Sequence, residues 1–227
     1  MLPSPAERVD GRSPAKPRRT STSHEGRNGP GPADCTTTAW LLLVGGLLGL
    51  AASFVLAVEK YALLADPGYV PTCSLNPVLS CGSVMSSPQA ALFGFPNPLL
   101  GVAGFPVVVV TGAVLLSGAR LPGWFWGGLQ LGVTGAVVLV HWLIFSSIYR
   151  IGALCPYCLV VWAVTIPVFW YVTLRNLAAI HLRSPSSLAR VVEAVRSVHG
   201  VVLTAWFLLI TAAIAQQFWL YWSTLVD

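Results

Sequence analysis

The sequence has few charged residues for its length. Aspartate, glutamate, lysine and arginine make up 9% of the 227 residues, whereas hydrophobic residues make up 55%. A soluble globular domain usually carries about 25% charged residues. This shortage excludes an ordinary soluble domain and indicates an integral membrane protein.

Long stretches without any charge account for most of the shortage. About 20 consecutive apolar residues let an α-helix cross the hydrocarbon core of a bilayer. Five stretches have roughly that length, and none contains aspartate, glutamate, lysine or arginine: 38–58, 98–117, 124–148, 156–174 and 199–222. The expected fold class is therefore an all-α integral membrane protein with five transmembrane helices.

The absence of carboxylates from these stretches argues against an ion pump or a secondary transporter. Such proteins usually keep ionisable groups inside the membrane, where they bind ions or relay protons. His141, in the third stretch, is the remaining candidate for such a role. A neutral imidazole that is hydrogen-bonded between two helices is the more ordinary interpretation of this histidine.

The net charge of +5 follows a membrane topology and does not indicate nucleic-acid binding. Lysine and arginine near the ends of transmembrane helices accumulate on the cytoplasmic side of the membrane. Eleven of the 13 basic residues share one side if the N-terminus is cytoplasmic, and Lys60 and Arg150 then lie opposite. We therefore expect a cytoplasmic N-terminus, and an extracytoplasmic C-terminal end at 223–227.

Two segments outside the apolar stretches differ from the rest of the chain. Residues 1–37 are rich in proline, serine, glycine and arginine and lack apolar periodicity. Because such a segment cannot bury enough surface to offset the entropy of ordering, we expect a disordered cytoplasmic tail. The segment 59–97 is the longest expected extracytoplasmic loop, and long loops in compact proteins are usually functional.

Cysteine is scarce, yet four of the five cysteines are expected in one compartment. Cys73, Cys81, Cys155 and Cys158 fall on the extracytoplasmic side, whereas Cys35 falls on the cytoplasmic side. Disulfides form and persist outside the cytoplasm, and they are rare in the reducing cytosol. The four extracytoplasmic cysteines are therefore candidates for disulfide chemistry.

Cys155 and Cys158 form a C-x-x-C pair in the stretch LCPYCLVVW, at the start of the fourth apolar run. A c-type haem would require histidine directly after the second cysteine, where the sequence has Leu159. A structural zinc site would require two more soft ligands, which the other two extracytoplasmic cysteines could supply. If Cys155 is the N-cap and Pro156 the first helical residue, the helix dipole lowers the pKa of the adjacent thiol. This arrangement favours a redox centre over a metal site.

Cys73 and Cys81 are separated by seven residues in the stretch CSLNPVLSC. A disulfide between them would remove roughly 2.5 kcal/mol of denatured-state entropy. For a two-electron couple, about 30 mV corresponds to 1.4 kcal/mol, so modest strain would make such a bond exchangeable. A permanent structural disulfide is the alternative, but a second cysteine pair on the same side favours exchange.

Thiol oxidation at a membrane requires an electron acceptor, and the sequence lacks motifs for several common ones. It contains no haem ligand pair, flavin fingerprint or nucleotide-binding loop. A lipid-soluble quinone needs only an apolar pocket with a few polar groups, which helices rich in leucine, valine, phenylalanine and tryptophan can form. Quinone is thus inferred by elimination and not from a motif.

The order and spacing of these features resemble the vitamin K epoxide reductase family over about residues 38–222. The resemblance rests on C-x7-C in the first outer loop, on CGSVMSS, on FPNPLLG opening the second stretch, and on C-x-x-C opening the fourth. It implies a four-helix transmembrane bundle around a quinone pocket, with a fifth, peripheral transmembrane helix.

The resemblance also implies a role for each extracytoplasmic cysteine. Cys73 would exchange with a partner thiol, and Cys81 would pass electrons to Cys155. Cys158 would face the quinone and reduce it. In the family these four positions act as one catalytic relay.

Three further residues correspond to positions near the quinone in the family: Ser87, Asn97 and Trp162. Ser87 could instead make a local hydrogen bond near Pro88, and Asn97 could cap the second transmembrane helix. Trp162 stands four residues after Cys158, where vertebrate members carry a quinone-contacting tyrosine. The sequence therefore departs from the vertebrate pattern that is linked to inhibitor sensitivity and epoxide reduction.

Many bacterial members of the family carry a fused thioredoxin-like domain after the fifth helix, and none is expected in this chain. The thiol partner is therefore expected to be a separate extracytoplasmic thioredoxin-like protein. The expected function is a thiol:quinone oxidoreductase of the cytoplasmic membrane that oxidises this partner, reduces menaquinone or ubiquinone, and supports disulfide formation. The alternatives are a vitamin K epoxide or quinone reductase acting in the reductive direction, and a non-enzymatic membrane scaffold with structural disulfides.

Overall fold

The computed structural model describes residues 32–181, 197–219 and 223. Within these ranges, five helices are long and apolar enough to cross a membrane. The prediction of an all-α, multi-pass membrane protein is confirmed. Most of the predicted N-terminal tail and residues 220–222 of the predicted fifth stretch lie outside the described residues.

The described chain is a succession of helices, in which the loop 66–80 is the longest described connection. In chain order they are α1 (Pro32–Ala65), α2 (Cys81–Met85), a 3-10 helix (Pro88–Ala91), α3 (Pro98–Leu116), α4 (Gly123–Ser146), a π-helical turn (Ser147–Ile151), α5 (Pro156–His181) and α6 (His199–Gln217). The membrane-length helices are α1, α3, α4, α5 and α6. The end of the bundle where α1 ends and α5 begins carries the four candidate cysteines, and we call it the cysteine end.

Helix α1 is longer than the first apolar stretch of the sequence predicts. It begins at Pro32. The N–H groups of the first helical residues have no acceptor within the helix, so the missing N–H of proline costs nothing at this position. It continues past residue 58 to Ala65. Glu59 and Lys60 lie within the helix: Glu59 accepts hydrogen bonds from the loop that follows, and Lys60 donates one to Met85 of α2.

Helix α1 packs against α3 and α5, and α5 in turn packs against α4. Glycines bring α1 and α3 close together. A Cβ on Gly112 of α3 would lie 2.5 Å from the main-chain nitrogen of Leu43, and one on Gly49 of α1 would lie 2.4 Å from the ring of Phe105. Small residues at such contacts let the backbones of membrane helices approach each other.

Helix α6 lies at the edge of the bundle, as the prediction of a peripheral fifth helix requires, and has no buried residue. One hydrogen bond that fastens it runs 2.9 Å from Trp206 Nε1 to His141 Nε2 on α4. His141 Nδ1 lies 2.7 Å from the carbonyl of Val137. Because Nε2 accepts a hydrogen bond from the indole N–H, Nδ1 carries the imidazole proton and donates it to the Val137 carbonyl, so the ring is hydrogen-bonded between α4 and α6.

Candidate redox site

The chain reaches the cysteine end by a sharp turn after α4. The π-helical turn ends at Gly152, whose φ of 69° is a left-handed conformation that glycine adopts at little cost. The N–H of Gly152 donates to the carbonyl of Ser147 at 3.0 Å and closes the turn. The next residues, 153–155, run across the cysteine end before α5 begins at Pro156.

An isolated parallel β-bridge between Leu79 and Leu154 joins this turn to the loop after α1. The N–H of Leu154 donates to the carbonyl of Val78 at 2.7 Å, and the N–H of Ser80 donates to the carbonyl of Leu154 at 2.9 Å. Both bonds are between main-chain groups, so they fix the relative position of the two segments whatever their side chains are. We call this contact the Leu79–Leu154 bridge.

The bridge brings together cysteines that are far apart in the sequence. Cys81 follows Leu79 by two residues and Cys155 follows Leu154 by one, and their Sγ atoms lie 3.0 Å apart. Cys73 forms a disulfide with Cys81, with a Cα–Cα distance of 5.6 Å, which is typical of disulfides. The Sγ atoms of Cys73, Cys81 and Cys155 all lie within 4.8 Å of one another.

Three buried cysteines at this distance can exchange a disulfide bond. A thiolate attacks one sulfur of a disulfide and releases the other, which requires the attacking and attacked sulfurs to be in contact. Cys81 is completely buried, whereas Cys73 keeps 6% of its surface exposed. In this covalent state Cys73 and Cys81 share a disulfide, so they do not provide the two thiolates that the alternative zinc site requires.

Cys155 stands directly before Pro156, the first residue of α5, as the sequence predicts. Its carbonyl accepts the N–H of Leu159 at 3.0 Å, and both Cys155 and Cys158 are free thiols. A hydrogen bond from the Cys158 side chain lowers the pKa of Cys155. The main-chain N–H groups of Tyr157 and Cys158 add to this effect, and burial opposes it. A lower pKa populates the thiolate, which is the reactive form.

A cavity of about 700 Å³ begins at the free cysteine pair and extends along the bundle. Its walls belong to α1, α3, α4 and α5, and no residue of α6 among those described lines it. Most of the lining side chains are apolar. Apart from the indole of Trp124, the polar or sulfur-containing side chains on its surface are few: Ser53, Lys60, Met85, Asn97, Cys155, Cys158 and Thr165. This volume and this mixture are typical of sites for small apolar molecules.

Asn97 is the one of the three predicted quinone-contacting residues that lines the cavity. Asn97 stands at the N-cap position of α3, but its side chain makes no capping hydrogen bond to that helix. Instead, Oδ1 accepts the N–H of Leu92 at 3.0 Å, and Nδ2 donates to the carbonyl of Gln89 at 2.7 Å. Asn97 thus fastens the 3-10 helix that covers the cysteine end of the cavity.

Ser87 and Trp162 lie outside the residues that line the cavity. The hydroxyl of Ser87 donates to the carbonyl of Val84 at 2.7 Å, which is the local hydrogen bond of the ordinary interpretation. Trp162 is 4% exposed and packs in a hydrophobic cluster with Ile144 and Phe218. Successive residues of a helix differ by about 100° in direction, so Val161 faces the cavity and Trp162 faces the cluster.

Sequence analysis missed two residues that contact the cysteine segments. Glu59 is 6% exposed, and its carboxylate accepts hydrogen bonds from Tyr69 and Thr72. Lys60 Nζ donates to the carbonyl of Met85 at 2.7 Å and lines the cavity. The signal in the sequence is the charged pair itself, which directly follows the first apolar stretch; of the two residues, only Lys60 enters the topology prediction.

The fold and the site define a multi-pass α-helical membrane protein with a thiol–disulfide centre at one end of an apolar cavity. No curated protein sequence matches the chain. The family model described as the Vitamin K epoxide reductase family matches residues 40–173, more than half of the chain and a range that contains all four cysteines. The protein belongs to the vitamin K epoxide reductase family, which indicates an oxidoreductase.

Proposed function

We propose that the protein is a thiol:quinone oxidoreductase of the cytoplasmic membrane. It oxidises an extracytoplasmic thioredoxin-like protein, reduces a membrane quinone and thereby supports disulfide formation. The observation that carries this proposal is the 3.0 Å separation of Cys81 Sγ and Cys155 Sγ, next to a free Cys158 on the surface of the cavity. The sulfur atoms form a continuous path from the outer loop to that cavity.

The first half of the reaction is the reduction of the Cys73–Cys81 disulfide. A thiolate of the partner attacks Cys73 Sγ, the bond to Cys81 breaks, and the electron pair stays on Cys81 as a thiolate. A second partner thiol then releases Cys73 as a thiol and leaves the partner with a disulfide. Cys73 is suited to the first attack because it retains some exposure, whereas Cys81 has none.

The second half moves the two electrons inward. Cys81 attacks Cys155 in a Cys155–Cys158 disulfide, which forms a Cys81–Cys155 bond and releases Cys158 as a thiol. Cys73 then attacks Cys81, which restores the outer disulfide and releases Cys155. The lowered pKa of Cys155 favours this step, since a thiol of lower pKa leaves faster. The resulting state has the outer disulfide closed and the inner pair reduced, as described above.

Oxidation of Cys155 and Cys158 to a disulfide releases two electrons and two protons, which convert a quinone into a hydroquinone. Cys158 lines the apolar cavity, whose volume suits a quinone ring and part of its tail. Asn97 has one amide hydrogen and one lone pair beyond its two hydrogen bonds, and these could bind a ring oxygen. Menaquinone and ubiquinone both meet these requirements.

The orientation of the protein rests on its basic residues. With the N-terminus in the cytoplasm, the cysteine end faces the extracytoplasmic side, where an oxidised thiol pair persists. Lys60 and Arg150 then remain on the side with fewer basic residues. A partner on this side reaches Cys73 without crossing the bilayer.

The central experiment uses the purified protein in lipid, a reduced thioredoxin and a short-tailed quinone. We expect one thioredoxin disulfide to form for each quinone that is reduced, and we expect Cys158→Ala to abolish this reaction. Cys35→Ala is the matched control, because Cys35 lies outside the relay and its loss should leave the rate unchanged. Efficient reduction of vitamin K epoxide by a dithiol, without any quinone reduction, would favour the reductive alternative.

A second measurement tests the relay itself. In Cys73→Ala, the thiol that resolves the bond between Cys81 and Cys155 in the forward direction is absent. Only the reverse attack by Cys158 on Cys155 can open this disulfide, so it should accumulate. Mass spectrometry of non-reduced peptides would detect it. If the four cysteines are only structural, Cys158→Ala lowers the stability of the bundle and leaves thiol oxidation unchanged.

A further inference from the structure

A buried carboxylate is hydrogen-bonded to the residue that precedes Cys73 and has no role in the relay described above. Glu59 is 6% exposed, and among the described residues it accepts hydrogen bonds from Tyr69 and Thr72. The hydroxyl of Tyr69 donates to Oε2 at 2.9 Å, and the hydroxyl of Thr72 donates to Oε1 at 2.5 Å. The main-chain N–H of Thr72 donates to Oε2 at 3.3 Å.

The position of these hydrogen bonds shows which segment of the chain Glu59 can hold in place. Thr72 is the residue before Cys73, and it is held by both its side chain and its main chain. Burying a carboxylate is unfavourable unless hydrogen bonds compensate for lost hydration, and hydrogen bonds to an ionised acceptor are the stronger kind. The donors around Glu59 are therefore well suited to keep the segment that carries Cys73 against the end of α1.

The next residue of α1 holds the other half of the disulfide. Lys60 Nζ donates at 2.7 Å to the carbonyl of Met85, the last residue of α2, and α2 begins with Cys81. Leu56, one turn earlier, packs in the same cluster as Cys73, Cys81 and Cys155. Consecutive charged residues of one rigid helix thus fasten the two segments that the disulfide joins.

We propose that Glu59 is a positioning residue that holds Cys73 within reach of Cys81 during thiol–disulfide exchange. This inference rests on the proposed function, because it concerns the step in which Cys73 attacks Cys81. In that step the bond between Cys73 and Cys81 forms, the bond between Cys81 and Cys155 breaks, and Cys155 receives the electron pair. The step consumes no external oxidant, so its equilibrium depends on the effective concentration of the Cys73 thiol at Cys81.

The test measures the stability of the outer disulfide in a background without the inner pair, Cys155→Ala with Cys158→Ala. In this background, Glu59→Ala should lower the effective concentration of Cys73 at Cys81 at least tenfold. A tenfold change in the equilibrium constant corresponds to about 30 mV for a two-electron couple, towards easier reduction. Glu59→Gln should have a smaller effect, since its amide oxygen still accepts a hydrogen bond from Thr72.

If Glu59→Ala folds poorly, substitutions of Thr72 test the same hydrogen bond from its other side. Thr72→Val removes the hydroxyl donor at nearly constant volume and should shift the potential in the same direction. Thr72→Ser keeps a hydroxyl donor, so its redox potential should remain close to that of the protein with Thr72. A Glu59→Ala or Thr72→Val protein with the wild-type potential would overturn the inference, even if its melting temperature fell.

The two proposals fail in different ways. Accumulation of the Cys81–Cys155 disulfide in Cys73→Ala does not require Glu59, since Cys73 is absent from that variant. If this disulfide forms while the Glu59 and Thr72 variants keep the wild-type potential, the relay stands and only the role of Glu59 is refuted. If the disulfide does not form, the relay itself is refuted.

Discussion

Glycine has opposite effects on the two faces of α3: it permits close packing on one face and leaves open space on the other. Towards α1, a Cβ on Gly112 would lie 2.5 Å from the main-chain nitrogen of Leu43. Towards the cavity, a Cβ on Gly104 would meet no atom within 4 Å. The same holds for the cavity-lining glycines of α4: Gly128, Gly132 and Gly135. The bundle therefore has a closed side, where glycine permits packing, and an open side, where glycine leaves space.

The closed side therefore serves the stability of the bundle, and the open side serves its redox chemistry. The closed side fixes α1, which carries Glu59 and Lys60 to the segments around the outer disulfide. The open side contains the cavity, with Cys155 and Cys158 at one end of it. Substitutions on the closed side should therefore mainly lower stability, whereas substitutions on the open side should mainly slow electron transfer.

The largest expected effect is a loss of stability when a methyl group is added on the closed side, in contrast to the same change on the open side. Gly112→Ala should destabilise the protein by about 1–3 kcal/mol, because the new Cβ overlaps the main chain of α1. Gly132→Ala is the matched control and should leave stability unchanged, since its Cβ enters open space. Thermal unfolding in detergent measures both variants, and equal losses of stability would contradict the distinction between the two sides.

The relay can also be disrupted at the Leu79–Leu154 bridge, without a change on the closed side. Leu154→Pro removes the N–H that donates to Val78 and should slow formation of the Cys81–Cys155 disulfide about tenfold or more. Leu154→Val keeps the N–H and serves as control. The rate is followed by quenched alkylation in the Cys73→Ala background. Equal rates in the two variants would show that the bridge does not set the distance between the sulfurs.

Filling the cavity should impair the proposed quinone reaction and spare the relay. Gly132→Leu places a side chain in the open space, and we expect the KM for a short-tailed quinone to rise about tenfold. When the change is combined with Cys73→Ala and the inner pair is first oxidised to the Cys155–Cys158 disulfide with a chemical oxidant, the Cys81–Cys155 disulfide should still form at the same rate. An unchanged KM would mean that the quinone binds elsewhere.

The smallest effect concerns the pH at which Cys155 reacts. Its pKa is lowered by the hydrogen bond from Cys158, so its alkylation should reach half of its maximal rate below the usual thiol value of about 8.5. Cys158→Ala removes the hydrogen-bond donor and should move this midpoint upward. Cys158→Ser retains a donor and should move it less. Identical midpoints for the two variants would exclude the hydrogen bond as the cause.

The sequence predicts the features that depend on local pattern. The apolar stretches gave the five membrane-length helices, and Pro156 gave the start of α5 with Cys155 directly before it. The grouping of the cysteines followed from the topology and the family resemblance. These predictions succeed because hydrophobic length and helix termination depend on neighbouring residues.

Other features depend on contacts between distant parts of the chain and could not be predicted. The orientation of Trp162 away from the cavity depends on where α4 and α6 pack against α5. The role of Glu59 depends on the path of the loop that returns to α1. Likewise, Gly112 and Gly132 are the same residue in similar apolar stretches, and only the neighbouring helix distinguishes them.

The Leu79–Leu154 bridge sets a constraint on how the length of the chain can vary. Because the bridge pairs main chains, the count of residues from Leu79 to Cys81 and from Leu154 to Cys155 determines which side chains meet. Inserting or deleting one residue in either short stretch would bring a different side chain opposite the reactive sulfur. Homologues should therefore keep these two intervals constant in length, while the connection between α3 and α4 is free to lengthen.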